Sequence, residues 1–415
     1  MKMRRLIGGA LIVLLGSELA WGQELPRLQD KPISELVRML GSERFAEREA
    51  AERALTNRDD VLPELRRALK SNDAEIVRRA TRILSGLNKR SLPRYLEYGR
   101  KGRVDVLVEW IATVGTEIDE EAYWQGVMDI AIGIRRRSGL KGPDKSGRPL
   151  PPTFRGFLVQ LGELRSSQSD YRAKPEDIAG REGIPGGWIG FVSRGHASVN
   201  ATKLPMDNCM LTTAGTVKLA GASESIVFAN GDSSMNLIMG SVVVCDGDAN
   251  CKVAWNSIVI ARQAIVVPRY SDEHVRSSKL YAAQSVRSES ADDKEMRAKQ
   301  PAKGLIPGTE IMEGRPVMLG MRFFEIADVG LEASATKVGV RVDKIAPRSP
   351  LAKAGLQAGD LVLSVDGAKC PDVDTLRRQL RRAFVHDEAR TSVRRGEKTI
   401  ELTVSFFGYD LPNVK

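Results

Sequence analysis

The chain has 415 residues, 42% of them apolar and 28% charged, with 63 Lys and Arg against 53 Asp and Glu for a formal charge of +10. That length favours about two to four domains, and the apolar content excludes wholesale disorder, a collagen and a multi-pass membrane protein. Four cysteines are too few for a disulfide-built scaffold, and three histidines leave little for zinc or His-based catalysis.

Lys2, Arg4 and Arg5 precede the apolar run Leu6–Leu15, and Ala20 and Gly22 place small residues before a cleavage point at Gly22. This is the pattern of a secretory signal peptide over residues 1–22, and its apolar core is well short of the roughly 20 residues a membrane helix needs. A periplasmic or secreted protein with no integral membrane segment after cleavage is expected.

Residues 30–90 read as helices. Leu36 and Leu65, Leu40 and Leu69, Ser42 and Ser71, Ala51 and Ala80, and Leu55 and Leu84 recur at a spacing of 29. Two antiparallel helices per unit cannot bury their apolar faces alone, which is the logic of a solenoid of helical pairs. Ser42 and Ser71, or polar residues beside them, are placed to cap the second helix of each pair. The pattern resembles short HEAT-like repeats, which implies a protein-binding surface; a small helical domain packing on its neighbours fits equally well. Residues 91–138 continue as connecting helices, with stripes Val104, Leu107, Val108, Ile111 and then Tyr123, Trp124, Val127, Met128, Ile130, Ala131, Ile134. Arg135, Arg136 and Arg137 suit a helix C-terminus. Residues 139–187 begin with a Gly-, Pro- and Lys-rich linker and are otherwise unassigned.

The stretch 188–275 carries a second repeat. Runs beginning at Ser225, Ser241 and Ser257 follow each other at intervals of 16, with β-branched cores and Asn-Gly or Asp-Gly turns. Coils of equal length predict a β-solenoid of about four rungs, with Val227, Val243 and Val259 in one inward ladder. Trp188–Val199 and a helix-like Arg276–Arg287 are expected to cap its ends. Met206–Val267 resembles the short β-helix of bactofilin-like proteins, which implies self-assembly through the solenoid. For the cysteines here, a Cys245–Cys251 disulfide and buried free thiols both fit. Asp232, Asp246 and Asp248 do not follow the calcium-binding nonapeptide pattern, so no metal or other cofactor is expected. Gly231-Asp232-Ser233 looks like a nucleophile turn, but no glycine pair follows, and His196 stands only 37 residues upstream. No catalytic residue is assigned.

Residues 276–312 read as a charged tether. In 313–410, Val338 to Gly367 runs strand, Ser349-Pro350 helix start, Gly355 cap, Gly359-Asp360 turn, strand, and Asp366-Gly367 turn. Val373, Leu376, Leu380 and Phe384 mark a long helix. This text, over Val317–Phe407, resembles a PDZ domain of the bacterial, HtrA-like protease-associated type. The resemblance implies that an extended peptide binds between the long helix and a strand Met321–Ile326 that includes Phe323, with the peptide carboxylate received by Met318, Leu319, Gly320 and Met321. A charged insert, Ala327–Lys337, departs from the family. Arg377 and Arg381 are placed either to face the groove and favour acidic peptides, or on a solvated surface with Arg378 and Arg382.

The expected architecture is thus multidomain α+β: helical repeats, a central β-solenoid and a C-terminal PDZ-like domain. The expected function is a non-enzymatic adaptor or scaffold of the envelope that binds protein C-termini or extended peptides, with no nucleic-acid partner. Two alternatives are a delivery subunit for a separate envelope protease, and a protease with an unrecognised site in residues 138–275.

Overall fold

The computed structural model describes residues 28–140, 158–161, 171–172, 189–289, 310–313 and 319–412, apart from short gaps at 29, 59, 115–117, 194, 197, 208 and 270–273. The signal-peptide stretch and most of the linker fall outside the described residues. The chain forms two compact units divided after Leu87. No described helix is long and apolar enough to cross a membrane.

The first unit holds α1 (Ile33–Met39), α2 (Phe45–Thr56), α3 (Leu62–Ala68) and the first half of α4 (Ala74–Arg100). Leu36, Leu40, Ala51, Leu55, Leu65, Ala80 and Leu84 from the 29-residue spacing all lie in its core. Leu69 does not: it is 41% exposed where its counterpart Leu40 is sealed. Asp73, rather than Ser71, caps α4, its Oδ1 accepting the amides of Glu75 (2.9 Å) and Ile76 (3.2 Å). Buried Arg79 ties α2 to α4 by donating to Glu49 (2.8 Å), Glu52 (2.5 Å) and Glu75 (2.6 Å).

In the second unit, α5 (Val104–Val114) and α6 (Glu120–Ser138) follow α4. The centre is a solenoid of two parallel sheets. One sheet stacks Leu158–Leu161, Ile189–Ser193, Cys209–Thr213, Ile226–Ala229, Val242–Cys245, Ile258–Ala261, Lys279–Ala282 and Glu310–Glu313. The inward ladder is in register, Leu211 beside Val227, Val243, Val259, Leu280 and Ile311. The opposite face of the same sheet (Ile226, Phe228, Val242, Val244, Ile258, Ile260) is buried in a core shared with α5, α6 and the C-terminal domain. Burial on both faces is why these strands read as unbroken apolar runs.

The solenoid is therefore longer than four rungs. Ile189–Ser193 is a rung rather than a cap, and Lys279–Ala282 and Ser285–Ser288 are strands where a helix and a tether were expected. Residues 290–309 of that tether lie outside the described residues. The step from Val259 to Leu280 is longer than the 16 residues separating Val243 from Val259, so the period breaks there. The corners into Ile226–Ala229, Val242–Cys245, Ile258–Ala261 and Lys279–Ala282 each use a left-handed residue: Glu224, Gly240, Asn256 and Ser277. The serine after each corner is buried, and its hydroxyl accepts the amide of the preceding rung: Cys209 to Ser225 (3.1 Å), Ser225 to Ser241 (3.0 Å), Ser241 to Ser257 (3.2 Å), Ser257 to Ser278 (3.1 Å). All four cysteines are buried thiols outside any disulfide, so of the two readings for Cys245 and Cys251 the buried thiols hold.

The C-terminal domain is an antiparallel sheet in the order Leu331–Thr336, Gly339–Ile345, Leu361–Val365, Glu388–Arg395, Lys398–Ser405, with Ala368–Lys369 also paired to Leu361–Val365. Two helices complete it, α7 (Pro350–Lys353) and α8 (Val373–His386). The local signals act as read: Ser349 Oγ accepts the Ala352 amide (3.0 Å), Gly355 takes φ of 95°, and Asp366 and Gly367 are both left-handed. The charged insert is regular structure, a single turn of 3-10 helix at Ile326–Val329 followed by the edge strand Leu331–Thr336.

Candidate functional site

Helix α8 begins at Asp372, whose carboxylate accepts the Thr375 amide (2.7 Å). Leu376, Leu380, Ala383 and Phe384 enter the core, as their spacing requires. Arg377 and Arg381, one turn apart, occupy the neighbouring face. The segment Met321–Glu325 approaches this helix: the Phe324 carbonyl accepts from Arg377 (3.2 Å), and the Phe324 and Phe384 rings lie 6.4 Å apart.

A peptide-binding strand offers alternate amides to its ligand. Here Arg322 and Phe324, two residues apart, direct theirs to the chain itself. The Arg322 amide donates to the Gly102 carbonyl (3.1 Å), and the Phe324 amide to Asp105 Oδ2 (2.7 Å). The approach at Gly102 is so close that a Cβ would stand 1.7 Å from the Gly320 carbonyl oxygen, and its φ of +88° also favours glycine.

Behind this contact lies a buried ionic cluster drawn from three elements. Arg381 donates to Asp105 (3.2 Å) and Glu109 (3.2 Å) on α5 and to Asp246 (2.5 Å) in a solenoid turn. Arg377 pairs with the same Asp246 oxygen (2.8 Å) and with Asp374 (3.0 Å). Arg262 adds a third cation, 3.3 Å from Asp246 and 2.5 Å from Asp374. Glu109 also accepts from Asn230 (3.1 Å) and pairs with His196 (2.7 Å). Arg377 and Arg381 are only 2% exposed, so each charge depends on its partners.

The surroundings split the two acids of α5. Burial pushes the Asp105 carboxyl up, Arg381 opposing it. For Glu109 burial acts in the same upward sense, but the His196 hydrogen bond and Arg381 outweigh it and bring the group down to about 2. The Arg381 guanidinium is desolvated, yet Asp246, Glu109 and Asp105 hold it above its ordinary range.

A second anchor sits at the start of α5. Buried Arg103 makes a two-pronged pair with Asp328 (2.6 and 2.9 Å), which also accepts from Arg322 (2.9 Å) and from the Glu325 amide (2.8 Å). Helix α6 contributes Arg137, which donates to the Leu319 carbonyl, and Arg135, which donates to the Gly240 carbonyl (2.7 Å). The arginine run thus reaches two neighbouring elements as well as closing a helix.

The residues expected to form an open groove are accordingly found in a filled one. Leu319, Met321 and Phe323 are buried, and Gly320 has the left-handed φ of 67° that a tight loop needs. Met318 lies outside the described residues. Arg377 and Arg381 do face the groove, but as partners of internal carboxylates, so they form neither a solvated surface nor a vacant acid-binding face, while Arg378 and Arg382 are exposed. Met321–Ile326 forms no sheet strand; the edge of the sheet is Leu331–Thr336. Sequence reasoning missed Gly102, Arg103, Asp105, Glu109, Asp246 and Asp328. One signal was available: Val104–Val114 is apolar on nearly every side, so it must be buried all round, and acids within such a helix must find cations.

The supposed nucleophile turn has other work. Ser233 is buried in the solenoid wall, with its amide donating to the Asp248 carbonyl (2.8 Å), while His196 turns to Glu109. Asp232 and Asp248 accept amides of Asp248 and Ala264 (both 2.9 Å). No metal-like group of His, Cys, Asp and Glu occurs among the described residues.

Residues 317–406 match the family model of the PDZ domain. No curated protein matches the chain. Among solved structures, the chain is similar to the HtrA3 PDZ domain bound to a phage-derived ligand (FGRWV), at 23% identity over 19% of this chain and 81% of that one, with a TM-score of 0.17. It is similar to the HtrA-type protease AlgW with a decapeptide, at 22% identity over 19% of this chain and 27% of that one, with a TM-score of 0.18. A serine endoprotease from Yersinia pestis matches at 22% identity over 18% of this chain and 29% of that one, with a TM-score of 0.15. The similarity spans less than a third of either protease. The C-terminal region is a PDZ domain, joined to a β-solenoid-like region and N-terminal helices.

Proposed function

We propose that this protein is a non-enzymatic scaffold of the bacterial envelope, exported by its N-terminal signal, whose PDZ domain binds extended or C-terminal peptide segments carrying an acidic group. The observation that supports this reading is what the groove already holds. The amides of Arg322 and Phe324 take a main-chain carbonyl and a carboxylate, while Arg381 opposite takes three carboxylates, two of them on α5. These are the acceptor groups an acidic peptide presents. The helical hairpins, read as HEAT-like, and the bactofilin-like solenoid supply further surfaces for protein contact and for self-assembly.

The test is a screen of free C-terminal peptides against the purified chain, with acidic peptides paired to versions carrying Gln for Glu. Micromolar binding, about −8 kcal/mol, that weakens with the Gln versions is the expected result. Absence of binding across the screen, or turnover of a polypeptide blocked by a serine-reactive probe, sinks the proposal.

A further inference from the structure

We infer that Gly102–Glu109, the turn into α5 together with its first acidic face, is the resident ligand of the PDZ groove, and that an acidic peptide binds there only by exchanging with it. This rests on the peptide-binding reading above and adds a competitor built into the chain.

Three observations carry the inference. First, the contact has the form of ligand recognition, with the amides of Arg322 and Phe324 both satisfied by residues 102 to 105. Second, the backbones meet at van der Waals limit beside the predicted carboxylate loop, where only a glycine at position 102 fits against the Gly320 carbonyl. Third, Asp105 and Glu109 supply two of the three carboxylates that neutralise Arg381. With α5 withdrawn, Arg381 keeps only Asp246. A neutral peptide entering the groove would leave a buried guanidinium short of counter-charge, so an incoming ligand has to bring carboxylates of its own. The same feature that closes the groove therefore selects what can open it.

Exchange lowers apparent affinity by the fraction of molecules whose groove is vacant. A substitution that loosens the resident segment without touching Arg377 or Arg381 raises that fraction. Gly102→Ala is such a change, because its methyl group has to displace the Gly320 carbonyl. The experiment measures fluorescence anisotropy of labelled acidic peptides with free C-termini on the full chain and on G102A. In parallel, amide hydrogen exchange of α5 is followed in the unmodified protein with and without saturating peptide.

We expect G102A to bind at least about tenfold more tightly, and the α5 amides of the unmodified chain to exchange faster when peptide is bound. Should the unmodified chain bind peptide while its α5 amides keep their protection, the resident-ligand inference is overturned and peptide binding stands. Equal or weaker binding by a folded G102A overturns it too. If neither protein binds any peptide, both readings fall together. Because the exchange measurement uses the unmodified chain, a misfolded G102A leaves the question decidable.

Discussion

Arg381 has three carboxylate partners and almost no contact with water, so its worth to the fold is set by what its loss would strand. Arg381→Ala leaves Asp246 to Arg377 and Arg262, Glu109 to His196 and Asn230, and Asp105 with the Phe324 amide but no paired cation. Breaking a buried pair from one side costs about 3–5 kcal/mol, and a lowered urea midpoint for the second unit is the expected result. Glu109 gives the cluster a pH signature. Its folded value of about 2 lies below the ordinary 4.5, so its contribution is fully present above about pH 4.5 and is lost as pH falls toward 2. Asp105, pushed up by burial, works in the opposite sense, its contribution falling as pH rises above the ordinary carboxyl range. Comparing stability against pH for the unmodified chain and Glu109→Gln should therefore show a shallower acid limb in the variant. An unchanged limb would mean that Glu109 does not carry the acid sensitivity.

Among the elements, the solenoid coils depend on a column of hydroxyls as much as on the valine ladder. Ser241 accepts the Ser225 amide and donates to the Ala222 and Met239 carbonyls (3.0 and 2.8 Å). Ser241→Ala strips a buried amide of its acceptor and should cost about 1–3 kcal/mol, read as a loss of thermal stability. The ladder at Val227, Val243 and Val259 was legible because two identical intervals leave one register that buries all three. The rungs beyond Val259 were not, because extra residues before Leu280 destroy the interval on which the reading relied. Helix α8 shows the same divide. Leu376, Leu380 and Phe384 announce a buried face by spacing, but the burial of Arg377 and Arg381 is not announced, since apart from Asp374 their carboxylate partners lie on α5 and in a solenoid turn far away in the chain.

For the whole molecule, the second unit is one body because a single sheet is covered on its outer face by α5, α6 and the PDZ domain around one continuous core. The fold class and the order of its parts could be read from the chain; the groove's occupancy could not, because it depends on long-range pairing of charges that composition scatters. Among the described residues the solenoid ends on Glu310–Glu313 in one sheet and Ser285–Ser288 in the other. Parallel strands of one copy stacking on those of another would extend such a solenoid end to end. If these ends support self-assembly, sedimentation at rising concentration should show growing mass; a constant monomer would remove that part of the proposal.

The direction of the serine bonds has a further effect on how the coils come into being. Every link runs from the amide of an earlier turn to the hydroxyl of a later one, so a freshly laid turn keeps a thirsty donor until its successor arrives. A polypeptide delivered from its N-terminal end would close this stack like a zipper with one slider. Cutting the chain short just before Ser257 would leave the teeth at Ser241 unmeshed.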